Sequence, residues 1–237
     1  NLSLIAFLSL FIFACSNNGN SNEKPINTVT DIEGNSYNTA KIGNQTWMLE
    51  NLKTKTFNDG TAIKKHVAGT DWGDLTNQSS QYQWADTSDL NNVVVEELPF
   101  DFYGAMYNHW AIESGKLAPE GWRIPTQADF KQLEDYLSAN GFENKEAIAL
   151  KSSTGWVNSS GNGTNAIRFN GLPNGYINTL GGPTLGNGIC TWATSNTNSS
   201  LPLGSRTRIL VQLFNNSNIL YTDNSIRIGA GVRCIKK

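Results

Sequence analysis

Histidine is almost missing from this chain. There are two, His66 and His109, and three cysteines among 237 residues. A zinc site needs three or four nitrogen, sulfur or oxygen ligands, and no spacing of these residues supplies one. Charge is also scarce, at 16 % of residues, with 18 Lys and Arg against 20 Asp and Glu for a formal net charge of −2. Nothing clusters the cations that a phosphate backbone requires, so nucleic acid is not an expected partner. From Ala147 to Thr222 the chain carries no Asp or Glu at all. Calcium wants several carboxylate oxygens, so no metal site is expected in that stretch. Asp71, Asp74, Asp86 and Asp89 lie elsewhere with no calcium-loop spacing and are read as solvated side chains. No nucleophile-elbow motif or distinctive carboxylate pair is present, so the reading is non-catalytic and without cofactor. No apolar run reaches the roughly 20 residues that span a bilayer.

What is present begins at the N-terminus. Leu2 to Ala14 is apolar apart from Ser3 and Ser9, the length of a signal-peptide core. The given sequence opens on Asn1, so a basic leader is expected upstream. The segment ends Ile12-Phe13-Ala14-Cys15, which resembles the bacterial lipobox and implies diacylglyceryl modification of Cys15. Several acyl chains give stable anchoring where one is marginal. Ser16 to Pro25 holds no apolar side chain except the proline and is read as a flexible tether. The expected organisation is therefore 1–15 signal peptide and lipidated Cys15, 16–27 tether, and 28–237 one domain. The location is the cell envelope, lipid-anchored to the outer membrane on its periplasmic or exposed face.

Within that domain Thr28–Asp31, Tyr37–Ile42 and Gln45–Met48 read as strands, the last two joined by a Gly43-Asn44 hairpin turn. Phe57 to Asn92 reads as a long polar loop region carrying Trp72 and Trp84. Tyr103, Tyr107, Trp110 and Ala111 fall on one helical face, predicting a helix over 102–114. Thr126, with Asp129 three residues on, predicts a capped helix burying Phe130, Leu133 and Leu137 and stopped by Asn140-Gly141. Asn144–Lys151 adds a short helix. Apolar runs at 166–172, 191–194, 208–214, 219–222 and 231–235 predict strands. Strands, then helices, then strands indicate an α+β fold.

Five blocks carry a resemblance. Lys41-Ile42-Gly43-Asn44-Gln45-Thr46-Trp47-Met48-Leu49-Glu50-Asn51-Leu52, Tyr103-Gly104-Ala105-Met106-Tyr107-Asn108, Pro119-Glu120-Gly121-Trp122-Arg123-Ile124-Pro125-Thr126, Gly163-Thr164-Asn165 with Leu172-Pro173-Asn174-Gly175-Tyr176, and Val232-Arg233-Cys234-Ile235 occur in order. Together they resemble the Fibrobacter succinogenes major paralogous domain. The third and last blocks also resemble sulfatase-modifying factors. The resemblance implies a C-type-lectin-like domain with two helices, antiparallel strands and a long loop region. His109 replaces a Trp common in that family and is read, with Trp110, as helix packing. Ala118 stands where many members have a cysteine, and Cys190 is new. With Cys15 lipidated, an oxidising compartment leaves Cys190 and Cys234 as the expected disulfide. Neither has a neighbouring base, so the modifying-factor chemistry is not expected.

The carboxylate-free stretch holds twelve asparagines together with Trp156, Trp192, Asn165, Tyr176 and Arg206. Amides both donate and accept, and indole or phenol faces suit the C–H face of a sugar. These residues, with Trp72 and Trp84, are the candidate ligand-binding set for a metal-independent glycan site. A protein partner in the envelope is the alternative. Trp47, Trp122 and Trp192 are read first as core, whereas for Trp72, Trp84 and Trp156 core and ligand readings stand equal.

Overall fold

The computed structural model describes residues 27–67, 69–70, 72–85, 101–156, 161–184, 186 and 188–237. Cys15 and the expected signal segment and tether, to residue 26, lie outside them, as do Asp71, Asp86 and Asp89.

Two mainly antiparallel sheets carry the domain. The first has the order β1-β2-β3-β14-β7, with β1 Asn27–Thr30, β2 Ser36–Ile42, β3 Gln45–Met48, β7 Trp122–Arg123 and β14 Ile235–Lys236. The predicted Gly43-Asn44 turn joins β2 to β3, with Ile42 opposite Gln45. The second sheet is built from β4 Lys64–Lys65, β5 Gln81–Trp84, β6 Ala105–Tyr107, β10 Cys190–Thr197, β11 Thr207–Leu213, β12 Ile219–Ser225 and β13 Ala230–Gly231. Its order is β12-β11-β10-β13-β6-β5-β4, and only the β10/β13 and β4/β5 pairs are parallel. A two-stranded ribbon, β8 Tyr176–Ile177 with β9 Pro183–Thr184, stands apart.

Three α-helices are described: α1 His109–Glu113, α2 Gln127–Leu137 and α3 Glu146–Leu150. Helix α2 is the sequence's clearest prediction. Thr126 Oγ1 accepts from the Asp129 N–H while Asp129 accepts from the Thr126 N–H, closing a capping box. Phe130, Leu133 and Leu137 are its buried stripe. Asp129 also takes both terminal nitrogens of Arg123 at 2.6 and 2.7 Å, tying the helix start to β7.

Three predicted elements are corrected. The helix expected over 102–114 begins only at His109, because residues 105–107 form a central strand buried on both faces. A short run apolar on every side carries no period that distinguishes strand from helix. Gly104 enters that strand at φ +79°, where a Cβ would sit 2.6 Å from Asn51 Cβ. The strand expected at 166–172 is instead an irregular loop. Asn165, Arg168 and Asn170 have φ of 48°, 60° and 51°, and the segment inserts Phe169 into the core. The run at 231–235 is split. β13 ends in the second sheet, the chain crosses at Val232–Cys234, and β14 enters the first.

That crossing overturns the expected disulfide, since Cys190 and Cys234 are free and buried. Side chains alternate along an extended segment. Val232 and Cys234 join the cluster of Tyr37, Leu52 and Tyr107, whereas Cys190 belongs to that of Trp47, Phe130 and Trp192. Arg233, between Val232 and Cys234, stacks on Phe169 and Trp192 of the second cluster. The two sulfurs therefore face different clusters. Burial pushes both thiols well above the ordinary cysteine range.

Among the described residues no helix is long and apolar enough to cross a membrane.

Candidate functional site

The structure distributes the seven candidate side chains very unevenly. Trp192 and Trp156 are core residues, 0 % and 1 % exposed. The Trp192 indole donates to Asn51 Oδ1 at 2.8 Å, and that of Trp156 donates to Ser152 Oγ at 3.0 Å. Neither has a face to offer a ligand: Trp192 follows its first reading as core, and for both residues the candidate ligand role is corrected. Asn165 spends its Oδ1 on the Asn170 N–H at 2.7 Å and shapes the 165–170 loop. Arg206 Nε donates to the Leu201 carbonyl at 3.1 Å, closing the turn before β11. Trp84 stands edge-on to Tyr82 in β5 and lines none of the concavities described below. Trp72 and Tyr176 remain. Trp72 is 2 % exposed and packs with Tyr103, Met106 and Ile177 in a third core cluster, so of the two only Tyr176 keeps an accessible ring. The two residues border two neighbouring concavities.

The first, of about 240 Å³, is lined by Tyr176, Ile189, Leu210, Gln212, Phe214, Asn224 and Ile228. The register Gln212–Leu220, Leu210–Thr222 and Arg208–Asn224 places Leu210, Gln212, Thr222 and Asn224 on one face of β11 and β12. Asp223 lies between Thr222 and Asn224 and by the same alternation faces away. A short relay fixes the amides: Asn224 Nδ2 donates to Thr222 Oγ1 at 2.6 Å, and Thr222 Oγ1 donates to Gln212 Oε1 at 2.9 Å. Gln212 Nε2 and Asn224 Oδ1 then make no hydrogen bond among the described residues. The cup thus offers a fixed donor and a fixed acceptor between two half-buried rings, Tyr176 and Phe214.

The second concavity, about 570 Å³, is lined by Trp72, Asp74, Thr70, Thr76, Thr179 and Arg227 among others. Asp74 is held ionised by the Thr76 hydroxyl and N–H, both at 2.7 Å. Trp72 lies against the backbone of Gly229, where any Cβ would collide with its ring, and its Nε1 is buried without a hydrogen-bond partner.

A third concavity, about 440 Å³, is lined by Arg208 and Glu113, which pair with each other, and by Arg123, which pairs with Asp129. Arg208, buried, donates to Thr194 O at 2.7 Å, to Glu113 Oε2 at 2.7 Å and to His109 Nδ1 at 2.9 Å. With Arg208 donating to it, His109 Nδ1 is the unprotonated nitrogen. Burial opposes ionisation of Glu113, but the Arg208 hydrogen bond holds its pKa below the usual range. Burial, then the Arg208 charge, push His109 down to about 4. Its lone pair is occupied, so this arrangement anchors α1 to β11. A helix-packing role was legible for His109; its hydrogen bond to a residue 99 positions away was not.

This depressed pKa has a consequence for stability. The unfolded histidine protonates near 6.5, whereas the folded one stays neutral until about 4. Between those values the unfolded state binds the extra proton, so stability is full above pH 6.5 and falls as pH drops toward 4. Lowering the pH from 7 to 5 is expected to remove about 2 kcal/mol through this group. Urea midpoints at the two pH values read it, and His109→Gln should flatten the dependence. An equal slope in the variant would place the proton elsewhere.

Among the described residues no three His, Cys, Asp or Glu gather as metal ligands. Sequence reasoning missed Gln212, Phe214, Asn224 and Arg227. Alternation hinted at Gln212 and Asn224, but the register that brings them together is tertiary information.

The domain is thus an α+β protein with a carboxylate-free cup beside a larger polar concavity. The chain belongs to the Fibrobacter succinogenes major domain family, whose family model matches residues 40–236. β1 and the start of β2 lie ahead of the matched region. No curated protein and no solved structure matches the chain.

Proposed function

We propose that this protein is a cell-envelope lipoprotein, anchored at the outer membrane through Cys15, whose domain binds glycan without metal and without catalysis. The fold is read as C-type-lectin-like, with ligand recognition moved away from a calcium loop. The observation that carries the reading is the Tyr176–Phe214 cup with its Gln212 donor and Asn224 acceptor. A pyranose ring has apolar C–H faces and a rim of hydroxyls that donate and accept. Aromatic walls take the faces, and amides fixed by the Thr222 relay take the rim without needing an ion. Leu210, Ile189 and Ile228 make the floor apolar, so each hydrogen bond forms out of bulk water.

Calorimetry of residues 16–237 against soluble glucose-, xylose- and N-acetylglucosamine-based sugars, with and without EDTA, tests this. The expected result is chelator-resistant binding that Tyr176→Ala weakens at least tenfold with no change in melting temperature. Binding abolished by EDTA, or unchanged in Tyr176→Ala, overturns the assignment. Absence of binding to every sugar overturns it as well and moves the reading to a protein partner.

A further inference from the structure

The two concavities at the Tyr176 end are separated by very little chain. Arg227 lines the larger one and the next residue, Ile228, lines the smaller. On the opposing segment Tyr176 lines the smaller and Thr179 the larger. Between these pairs, Ile177 and Gly229 exchange both backbone hydrogen bonds at 2.9 Å, pinning the 225–229 turn to β8. The divide is therefore a low backbone bridge. Tyr176 and Thr179 are three positions apart, at most about 11 Å of chain.

Resting on the glycan reading, we propose that the two concavities are successive subsites of one site, and that its ligand is a linear oligosaccharide lying across the Ile177–Gly229 bridge. The larger concavity has the groups a second and third sugar would use. Thr179 is exposed, and Asp74 is fixed as an anion by Thr76. Arg227 is exposed, and its guanidinium makes no hydrogen bond or ion pair among the described residues. Trp72 backs this concavity from the core side and is 2 % exposed. Volumes of about 570 and 240 Å³ leave room for unequal contributions, with the aromatic cup holding one unit and the polar side more than one. A single sugar in the cup would leave Thr179, Arg227 and Asp74 out of reach of the ligand.

The test is calorimetry of the same protein with each homologous series from monomer to tetramer. Affinity is expected to rise at least tenfold between monomer and tetramer in the series that binds. Arg227→Ala combined with Thr179→Val should abolish that gain and leave monomer affinity unaltered. Both residues are exposed, so the variant is expected to keep the parent melting temperature. Equal affinity for all lengths overturns the inference and leaves the cup standing as a monosaccharide site. So does a length-dependent gain that survives the double substitution. Failure of every sugar to bind overturns the cup first and this inference with it.

Discussion

Asn51→Ala is expected to lower folding stability by about 3–5 kcal/mol. The Asn51 Oδ1 accepts from three donors: Trp192 Nε1 at 2.8 Å, Arg233 Nε at 3.0 Å and Arg233 Nη2 at 2.7 Å. Its Nδ2 donates to the Tyr103 carbonyl at 2.9 Å. Arg233 is 1 % exposed, and no carboxylate pairs with it among the described residues. Its charge is supported instead by Asn51, by the Phe169 carbonyl, and by the faces of Phe169 and Trp192 at 4.7 and 5.0 Å. Burial depresses its pKa to about 10, so it remains a cation at neutral pH. Removing one amide oxygen would strand two guanidinium donors and an indole N–H in the core. Leaving a buried charge short of partners costs far more than losing a neutral bond. Urea unfolding reads the change as a shift in midpoint at constant slope. A loss below about 1 kcal/mol would mean that water or backbone carbonyls replace the amide, and that Asn51 does not organise this core.

Trp192→Ala is expected to cost a similar amount, about 3–5 kcal/mol, through a different mechanism. The Trp192 ring stacks on Phe130 at 5.9 Å and 21°, and meets Phe169 edge-on at 5.5 Å. Truncation opens a cavity between two core layers that are tied to separate strands and cannot close on it. Trp192→Phe keeps most of the volume and should cost less than half as much, because it loses the indole donor and a fraction of the packing. Since Asn51 and Trp192 share a hydrogen bond, the double variant should be less destabilised than the sum of the singles. The same experiment separates core from ligand roles. If Trp192→Ala kept full stability and lost glycan binding, the residue would belong to a ligand surface after all.

These two residues also mark how far the sequence could be read. The strand–turn–strand opening, the Thr126 cap and the buried stripe of α2 depend on neighbours within about one turn or one hairpin. Their signals are local, and they stand as expected. The family blocks were equally legible, since each is a short run of fixed residues. What the blocks are for was not. Asn51, Gly104, Trp192 and Arg233 lie in four distant parts of the chain and meet at one point: Gly104 admits the Asn51 side chain, and Asn51 holds Trp192 and Arg233. Nothing in local spacing announces that a cation will be buried without a counter-charge.

The ligand-binding expectations divide along the same line. Composition gave the chemistry sought, amides and aromatics in a stretch free of carboxylates, but could not separate core from ligand roles for Trp156. Large aromatic surfaces are the strongest drivers of burial, so the tertiary structure drew Trp156 and Trp192 inward and left Tyr176 at the edge. The cup around Tyr176 depends on the β11/β12 register, because a one-residue slip of β12 would turn Thr222 and Asn224 to the opposite face and bring Asp223 onto the face of Gln212. Likewise, cysteine counting paired Cys190 with Cys234, while alternation through the crossing segment set them against different clusters. The sequence by itself determined the α+β class, the family, the capped helix and the scarcity of metal ligands, because each rests on composition or on contacts a few residues apart. Only the tertiary structure decided which aromatics are core, which amides share a face, and where the cysteines point, because those depend on pairing between segments tens to more than a hundred residues apart.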